Sequence, residues 1–272
     1  MFHRSKQRMQ NPKKRKFDLS LILKNASLPA SGFLLLTHRG YGKRGPIAEN
    51  TLNAFSASTD LGFRGHELDV RLTRDKVVVI FHGPDLSTTT NGKGLVESRL
   101  FSEIRDLNCS NYLNRKNSPV AGIPTLEEYL LQFGKKVFTN IEIKKEWYYP
   151  GFDLERKTIQ LINKSGCANN VLISSFNLLS IYFIRKNFPD ILAGALIDKT
   201  RIAPVWIPLA IKLLKPDSIH IHRVMATPRW IEYIKSRNCG VAIWGVNDRD
   251  LLANFANQGV DIMITDNMEL IN

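Results

Sequence analysis

Short apolar runs alternate along the chain with amphipathic segments of helical period. Eight runs of four to seven residues read as strands: Phe33–Thr37, Gly65–Val70, Val137–Ile143, Val171–Ser174, Ala193–Ile197, Ser218–Ile221, Val241–Gly245 and Asp261–Thr265. Most are apolar throughout, as strands of a parallel sheet covered by helices on its outer face should be. Leu52–Leu61, Leu126–Phe133, Leu154–Lys164, Leu178–Asn187, Pro228–Ser236 and Asp248–Asn257 read as the helices between them. Thr125 with Glu128 three residues on, and Asn247-Asp248 ahead of Leu251, are expected N-caps. A ninth run, Lys76–Phe81, follows Val70 after only five residues. A parallel crossover needs about a dozen residues or more, so this run must return as a hairpin, with Arg74-Asp75 as its turn. The alternation and the 272-residue length predict an α/β fold. The expected architecture is a (β/α)8 TIM barrel with a β-hairpin insertion after strand 2, the length being close to the roughly 250 residues typical of it.

Charge divides the chain unevenly. Its formal net charge is +13, and residues 1–24 carry eight basic side chains against Asp18 alone. Residues 1–31 therefore read as a basic, disordered arm ending at Pro29-Ala-Ser-Gly32, and residues 32–272 as the barrel domain. The arm's solvated charge suits weak contact with an anionic membrane or nucleic acid. Cys109, Cys167 and Cys239 are too scattered for a zinc site or a disulfide framework and read as free thiols. The most apolar stretch, Ala203–Leu214, contains two prolines and Lys212, and is shorter than the roughly 18 residues a spanning helix needs. With no secretory signal visible, a cytoplasmic location is the expectation.

The chemistry gathers at strand ends. The first strand ends in His38-Arg39-Gly40, the second contains Glu67-x-Asp69, the hairpin returns at His82, and the third barrel strand reads Asn140-Ile-Glu142-Ile-Lys144. Barrel active sites form at the C-terminal ends of the strands. Glu67 and Asp69 share a face by strand period, as do Asn140, Glu142 and Lys144. Carboxylates facing a barrel interior together repel unless neutralised. A hard divalent cation would do this, and oxygen ligands suit Mg²⁺ or Ca²⁺.

These residues sit in motifs that resemble the glycerophosphodiester phosphodiesterase family. They are HRG at 38–40, ENTLNAF at 49–55, ELDV at 67–70, DKVVVIFH at 75–82, STTTNGKG at 87–94, IPTLEE at 123–128, NIEIK at 140–144, SSF at 174–176, WGVN at 244–247 and GVDIMITD at 259–266. The set follows the family's order from His38 to Asp266. The resemblance implies a metal-dependent barrel enzyme that hydrolyses small-molecule glycerophosphodiesters to glycerol 3-phosphate and an alcohol. It implies one divalent ion held by Glu67, Asp69 and Glu142, His38 and His82 as the acid–base pair, and Arg39 and Lys144 on the phosphate. The sequence departs from the family at Ala48 (usually Pro), at Gly83 (usually Asp) and at Gly245 (often Thr). Loss of an Asp beside His82 removes a group that could orient that ring.

Other residues receive lesser roles. Glu49 is expected to bond Arg39 or nearby backbone rather than to catalyse. Trp244 is placed against the alcohol moiety, and His220 and His222, which share a strand face, are candidates for the substrate pocket. His66 reads as structural. The apolar segment Ile202–Leu214, with Trp206, reads as a barrel helix broken at Pro208. In the rival reading, a lysophospholipase D-type hydrolase on the same fold, this segment shapes an acyl pocket or lies on a membrane.

Overall fold

The apolar runs pair into one sheet that closes on itself. The structure, a computed structural model, describes residues 18–25, 32–42, 45–113, 120–146, 151–199 and 203–271. Its strands are β1 (Leu34–His38), β2 (Gly65–Leu72), β3 (Val78–Ile80), β4 (Phe138–Ile143), β5 (Val171–Ser175), β6 (Leu192–Ile197), β7 (Ser218–His222), β8 (Gly240–Trp244) and β9 (Ile262–Thr265). Eight are parallel, and β1 pairs with both β2 and β9 to close the barrel. The ninth, β3, runs antiparallel to β2 with Val70 opposite Ile80, so the short run does return as a hairpin. Its turn closes with the Lys76 N–H donating to the Thr73 carbonyl, which centres it on Arg74-Asp75.

The helices are α1 (Leu19–Asn25), α2 (Leu52–Asp60), α3 (Phe101–Ile104), α4 (Leu126–Phe133), α5 (Asp153–Ser165), α6 (Leu178–Asn187), α7 (Ala203–Leu214), α8 (Pro228–Ser236) and α9 (Arg249–Asn257). Thr125 and Glu128 form a reciprocal capping box on α4, and Asp248 caps α9 through the Leu251 N–H. Each capping bond satisfies a helix-terminal amide that would otherwise lack a partner. Pro208 lies inside α7 without ending it, which corrects the expected break. A proline removes one ladder bond but can be carried where the rest of the helix is held by packing. Here Ala203, Ile207 and Ala210 bury that face.

Two apolar layers result from the strand period. Outward-facing residues such as Leu68, Val70, Ile141, Ile173, Ile219 and Val241 pack under the helices. Inward-facing Leu34, Phe138, Leu172, Leu192 and Ile262 fill the end of the barrel where the strands begin, together with Ile22 and Leu23 of α1. Thus part of the segment expected to be a disordered arm is a helix with two side chains buried under the barrel. Residues 1–17 and 26–31 lie outside the described residues. Over the hairpin, Leu86, Val96, Ile104 and Ile123 pack with Val79 and Phe81. With one end of the barrel plugged by hydrocarbon, the charged inward-facing residues lie at the other end, while Ser218 and His220 pair with each other in the interior.

Candidate active site

Register brings the strand-end residues to one level. His38 lies beside Glu67, Glu67 beside Asn140, and Asp69 beside Glu142. The returning hairpin is tied there by the Phe81 N–H donating to the Asp69 carbonyl at 2.9 Å and by Arg71 Nε donating to the His82 carbonyl at 3.0 Å. A cavity of about 180 Å³ opens at this mouth, lined by His38, Arg39, Glu67, His82, Asn140, Glu142, Lys144, Phe176, Leu196, Trp244 and Ile264.

The turn after β1 has an unusual backbone. Arg39 has φ 55° and Gly40 φ 88°, both in the left-handed region. For a non-glycine residue that conformation is uncommon and needs support from its surroundings. The Arg39 N–H donates to the Glu67 carbonyl at 2.9 Å, and its own carbonyl accepts from the Asn50 N–H at 2.9 Å. Gly40 has no room for a side chain, since a Cβ would come within 2.8 Å of Ala54 on α2. The His-Arg-Gly sequence is therefore what lets the strand turn sharply and aim His38 and Arg39 at one cavity.

The electrostatics are those of crowded buried acids. Ligand oxygens of Glu67, Asp69 and Glu142 all lie within 4.8 Å of one another. Arg39 Nε approaches Asp69 at 3.0 Å and its Nη1 reaches Glu49 at 2.7 Å. Lys144 Nζ is 3.2 Å from Asp69 Oδ1 and 2.5 Å from Glu142. Burial pushes Glu67 well above the ordinary carboxylate range, reinforced by Asp69 and Glu142. Burial also raises Glu142, with Asp69 adding to it against the pull of Lys144. For Asp69 burial works the same way, but Lys144 and Arg39 outweigh it and hold its carboxyl well below the usual range. Arg39 and Lys144 stay charged, because the surrounding carboxylates overcome the burial that opposes their charge.

The charge count tests the fit of a metal. Glu49, Glu67, Asp69 and Glu142 are buried, and the Arg and Lys side chains that oppose them within ion-pair distance among the described residues are Arg39 and Lys144, with His38 approaching Glu67 at 3.9 Å and His82 acting on Asp69. Fully ionised, the four acids leave two uncompensated negative charges, the amount one divalent cation supplies. Asp69 Oδ1 and Glu142 Oε1 are within ion-pair reach of Lys144 yet accept no well-aligned hydrogen bond. An all-oxygen donor set of this kind suits a hard cation.

The remaining sequence-predicted residues fall into two groups. Glu49 bonds Arg39, as expected. Trp244 lines the cavity. His220 does not: it is wholly buried, with Nε2 2.8 Å from Ser218 Oγ, and burial lowers its pKa to about 3. His222 does not line it either, for its ring packs edge-on against Trp244 with centroids 4.3 Å apart. The two histidines do share a face, but they lie at different depths, which strand period alone does not reveal. His66 faces the helices, bonded to Ser58, Thr59 and Tyr129, and is structural. At Gly83 a Cβ would come within 2.5 Å of Thr88 Oγ1, so the Thr88 side chain occupies the space an Asp would need.

Asp266 and Asn50 were given no role from sequence, and Asn247, read there as a strand-end polar residue and part of a helix cap, joins them. Asp266 Oδ1 lies 2.7 Å from His38 Nδ1. Asn247 holds that residue, its Oδ1 accepting the Asp266 backbone N–H at 2.9 Å and its Nδ2 donating to Asp266 Oδ2 at 3.4 Å. Asn50 Nδ2 donates to Asp69 Oδ2 at 2.9 Å. The available signal for Asp266 was its place immediately after the last strand, the position where barrels carry functional groups.

Comparisons with known proteins agree with one another. The family described as "Glycerophosphoryl diester phosphodiesterase family" matches residues 38–270. A glycerophosphodiester phosphodiesterase of Caldanaerobacter subterraneus subsp. tengcongensis is 35% identical over 244 residues, covering 88% of this chain and 96% of the relative. A solved phosphodiesterase of Oleispira antarctica, in complex with the product sn-glycerol-3-phosphate, is 26% identical with a TM-score of 0.70. That match covers 88% of this chain and 95% of that one. A structure from Silicibacter pomeroyi, 20% identical with a TM-score of 0.77 over 91% of this chain and 94% of that one, shares the fold.

Proposed function

The chain belongs to the glycerophosphoryl diester phosphodiesterase family and is a phosphoric diester hydrolase, and from that premise we propose how its site works. The substrate is a small glycerophosphodiester, cleaved to glycerol 3-phosphate and an alcohol. Glu67, Asp69 and Glu142 would hold one divalent metal, Mg²⁺ or Ca²⁺, which when bound supplies Lewis-acid stabilisation of charge on a phosphoryl oxygen.

The single observation that carries this reading is the lining of one small cavity by two histidines, an arginine, a lysine and two of the three clustered carboxylates. Arg39 is held by Glu49 and Asp69, so its planar guanidinium reaches the cavity in one orientation, and Lys144 adds a point charge for the phosphate. An ionised Asp266 only accepts, so neutral His38 carries its proton on Nδ1 and turns the lone pair of Nε2 towards the site. That form takes a proton from the attacking hydroxyl: where this is a water, glycerol 3-phosphate forms directly, and where it is the substrate's own glycerol hydroxyl, the alcohol leaves a cyclic phosphate that a water then opens to glycerol 3-phosphate. His82, on the returning hairpin, then gives one to the leaving alcohol. Phe176 and Trp244 form an aromatic wall beside the reacting groups. A lysophospholipase D-type activity is not favoured. The cavity of about 180 Å³ falls below the roughly 300–1,000 Å³ of sites that enclose larger ligands.

His38→Ala and His82→Ala, assayed for glycerol 3-phosphate release from glycerophosphocholine and glycerophosphoethanolamine, test the assignment. Each loses roughly 10²–10⁴ in rate. Wild-type activity in both variants refutes it.

A further inference from the structure

We propose that the face formed by α6 and α7 docks on an anionic lipid bilayer. This goes beyond the proposed reaction and is independent of it. Leu179 and Tyr182 of α6 stand beside Trp206, Leu209 and Leu213 of α7 along one groove of about 430 Å³ on the outside of the barrel. Leu179 is 65% exposed, Leu213 59%, and neighbouring Val205 65%. Helices that ring a barrel ordinarily turn a polar face to water, whereas α7 turns Val205, Trp206, Leu209 and Leu213 outwards with Lys212 as its one charged residue. A contiguous exposed apolar patch of this sort marks an interaction surface.

The charge around the groove selects the partner. Among the described residues of the stretch 178–215, which contains α6 and α7, the exposed basic ones are Lys186, Lys199, Lys212 and Lys215, against exposed Asp190 and Asp198. Lys186 Nζ lies 5.8 Å from the Tyr182 ring, at the groove's edge. A two-fold contact with a second copy would set these lysines against themselves. An anionic bilayer instead takes the tryptophan and leucines at the headgroup boundary and leaves the lysines to reach lipid phosphates. The face is also continuous with the site: Phe176 lines the catalytic cavity, and Leu178, two residues on, lines the groove. Docking would thus bring the cavity mouth close to the membrane.

The test is co-sedimentation of the full chain with vesicles of phosphatidylcholine alone or mixed equally with phosphatidylglycerol. Binding is expected on the anionic vesicles, at least roughly tenfold tighter than on the neutral ones. The Leu179→Ser/Trp206→Ser/Leu209→Ser variant should lose roughly tenfold of that affinity while keeping the circular dichroism spectrum and cooperative thermal unfolding of the wild type, which certifies its fold. Should it fail to fold, Lys212→Glu/Lys215→Glu decides, with the same loss expected. The proposal is overturned by absence of vesicle binding or by unchanged binding of the folded variants, as when deletion of residues 1–17 alone abolishes it. A solution dimer dissociated by the serine substitutions would overturn it as well.

Discussion

Asp266→Asn isolates the contact that orients His38. The substitution keeps the shape and removes the charge 2.7 Å from His38 Nδ1. Two unit charges about 4 Å apart at an effective dielectric of about 20 interact by about 4 kcal/mol. The His38 and Asp266 side chains are 21% and 26% exposed, so solvent screening brings this down to the range of a hydrogen bond to a charged group, about 1.5–3 kcal/mol. If that interaction is realised as His38 takes up its proton, kcat falls about 10- to 150-fold. KM should change little, because neither lost interaction touches the ground-state substrate. Steady-state hydrolysis of glycerophosphocholine measures both constants, and a double-mutant cycle with His38→Ala supplies the control. In the His38→Ala background Asp266→Asn should cost almost nothing further. A loss below about threefold in the single variant, or an equal loss in both backgrounds, refutes the idea that Asp266 acts through His38.

Three other outcomes follow from particular contacts. His66 and His220 are both buried and pushed down to about 3. Their folded values lie below the unfolded one of about 6.5, so the unfolded chain takes up protons first, and the stability they carry above pH 6.5 is lost as pH falls towards 3. His220→Gln should therefore flatten the acid limb of stability by up to about 1.4 kcal/mol per pH unit, read from urea unfolding at pH 7 and pH 5. A slope equal to that of the wild type contradicts this. Gly194→Ala places a Cβ within 2.3 Å of His220 Nε2 and 2.7 Å of Ser218 Oγ, and should destabilise by about 1–3 kcal/mol in the same assay, with recovery on adding His220→Ala. Gly83→Asp, which restores the family's usual residue, meets Thr88 at 2.5 Å. It should lower the thermal midpoint unless paired with Thr88→Gly, and an unchanged midpoint in the single variant contradicts the packing argument.

Much of this architecture is legible in the sequence because a parallel barrel buries both faces of its strands. Runs such as Val171–Ser175 and Gly240–Trp244 carry an apolar signal that turns and helices interrupt cleanly. The hairpin was legible for a different reason, the short distance from Val70 to Lys76, which admits no other connection. Strand period likewise put Glu67 with Asp69 and Asn140 with Glu142. Period gives the face but not the depth, which is why His220 and His222 were grouped with the cavity although one is buried below it and the other packs on Trp244. Asp266 lies 228 residues from His38, and only closure of the barrel through β1 and β9 joins them. Composition also concealed α1, whose Ile22 and Leu23 meet their apolar partners only once the strand ends have assembled beneath them.

The most direct test of the account is metal-dependent hydrolysis. Purified protein is incubated with glycerophosphocholine and glycerophosphoethanolamine, alone, with EDTA, and with Mg²⁺ or Ca²⁺ restored after EDTA, and glycerol 3-phosphate is measured. Four buried carboxylates facing two nearby cations predict release that EDTA abolishes and one of the two ions restores. Full activity retained in EDTA, or release of a phosphorylated alcohol in place of glycerol 3-phosphate, would contradict it.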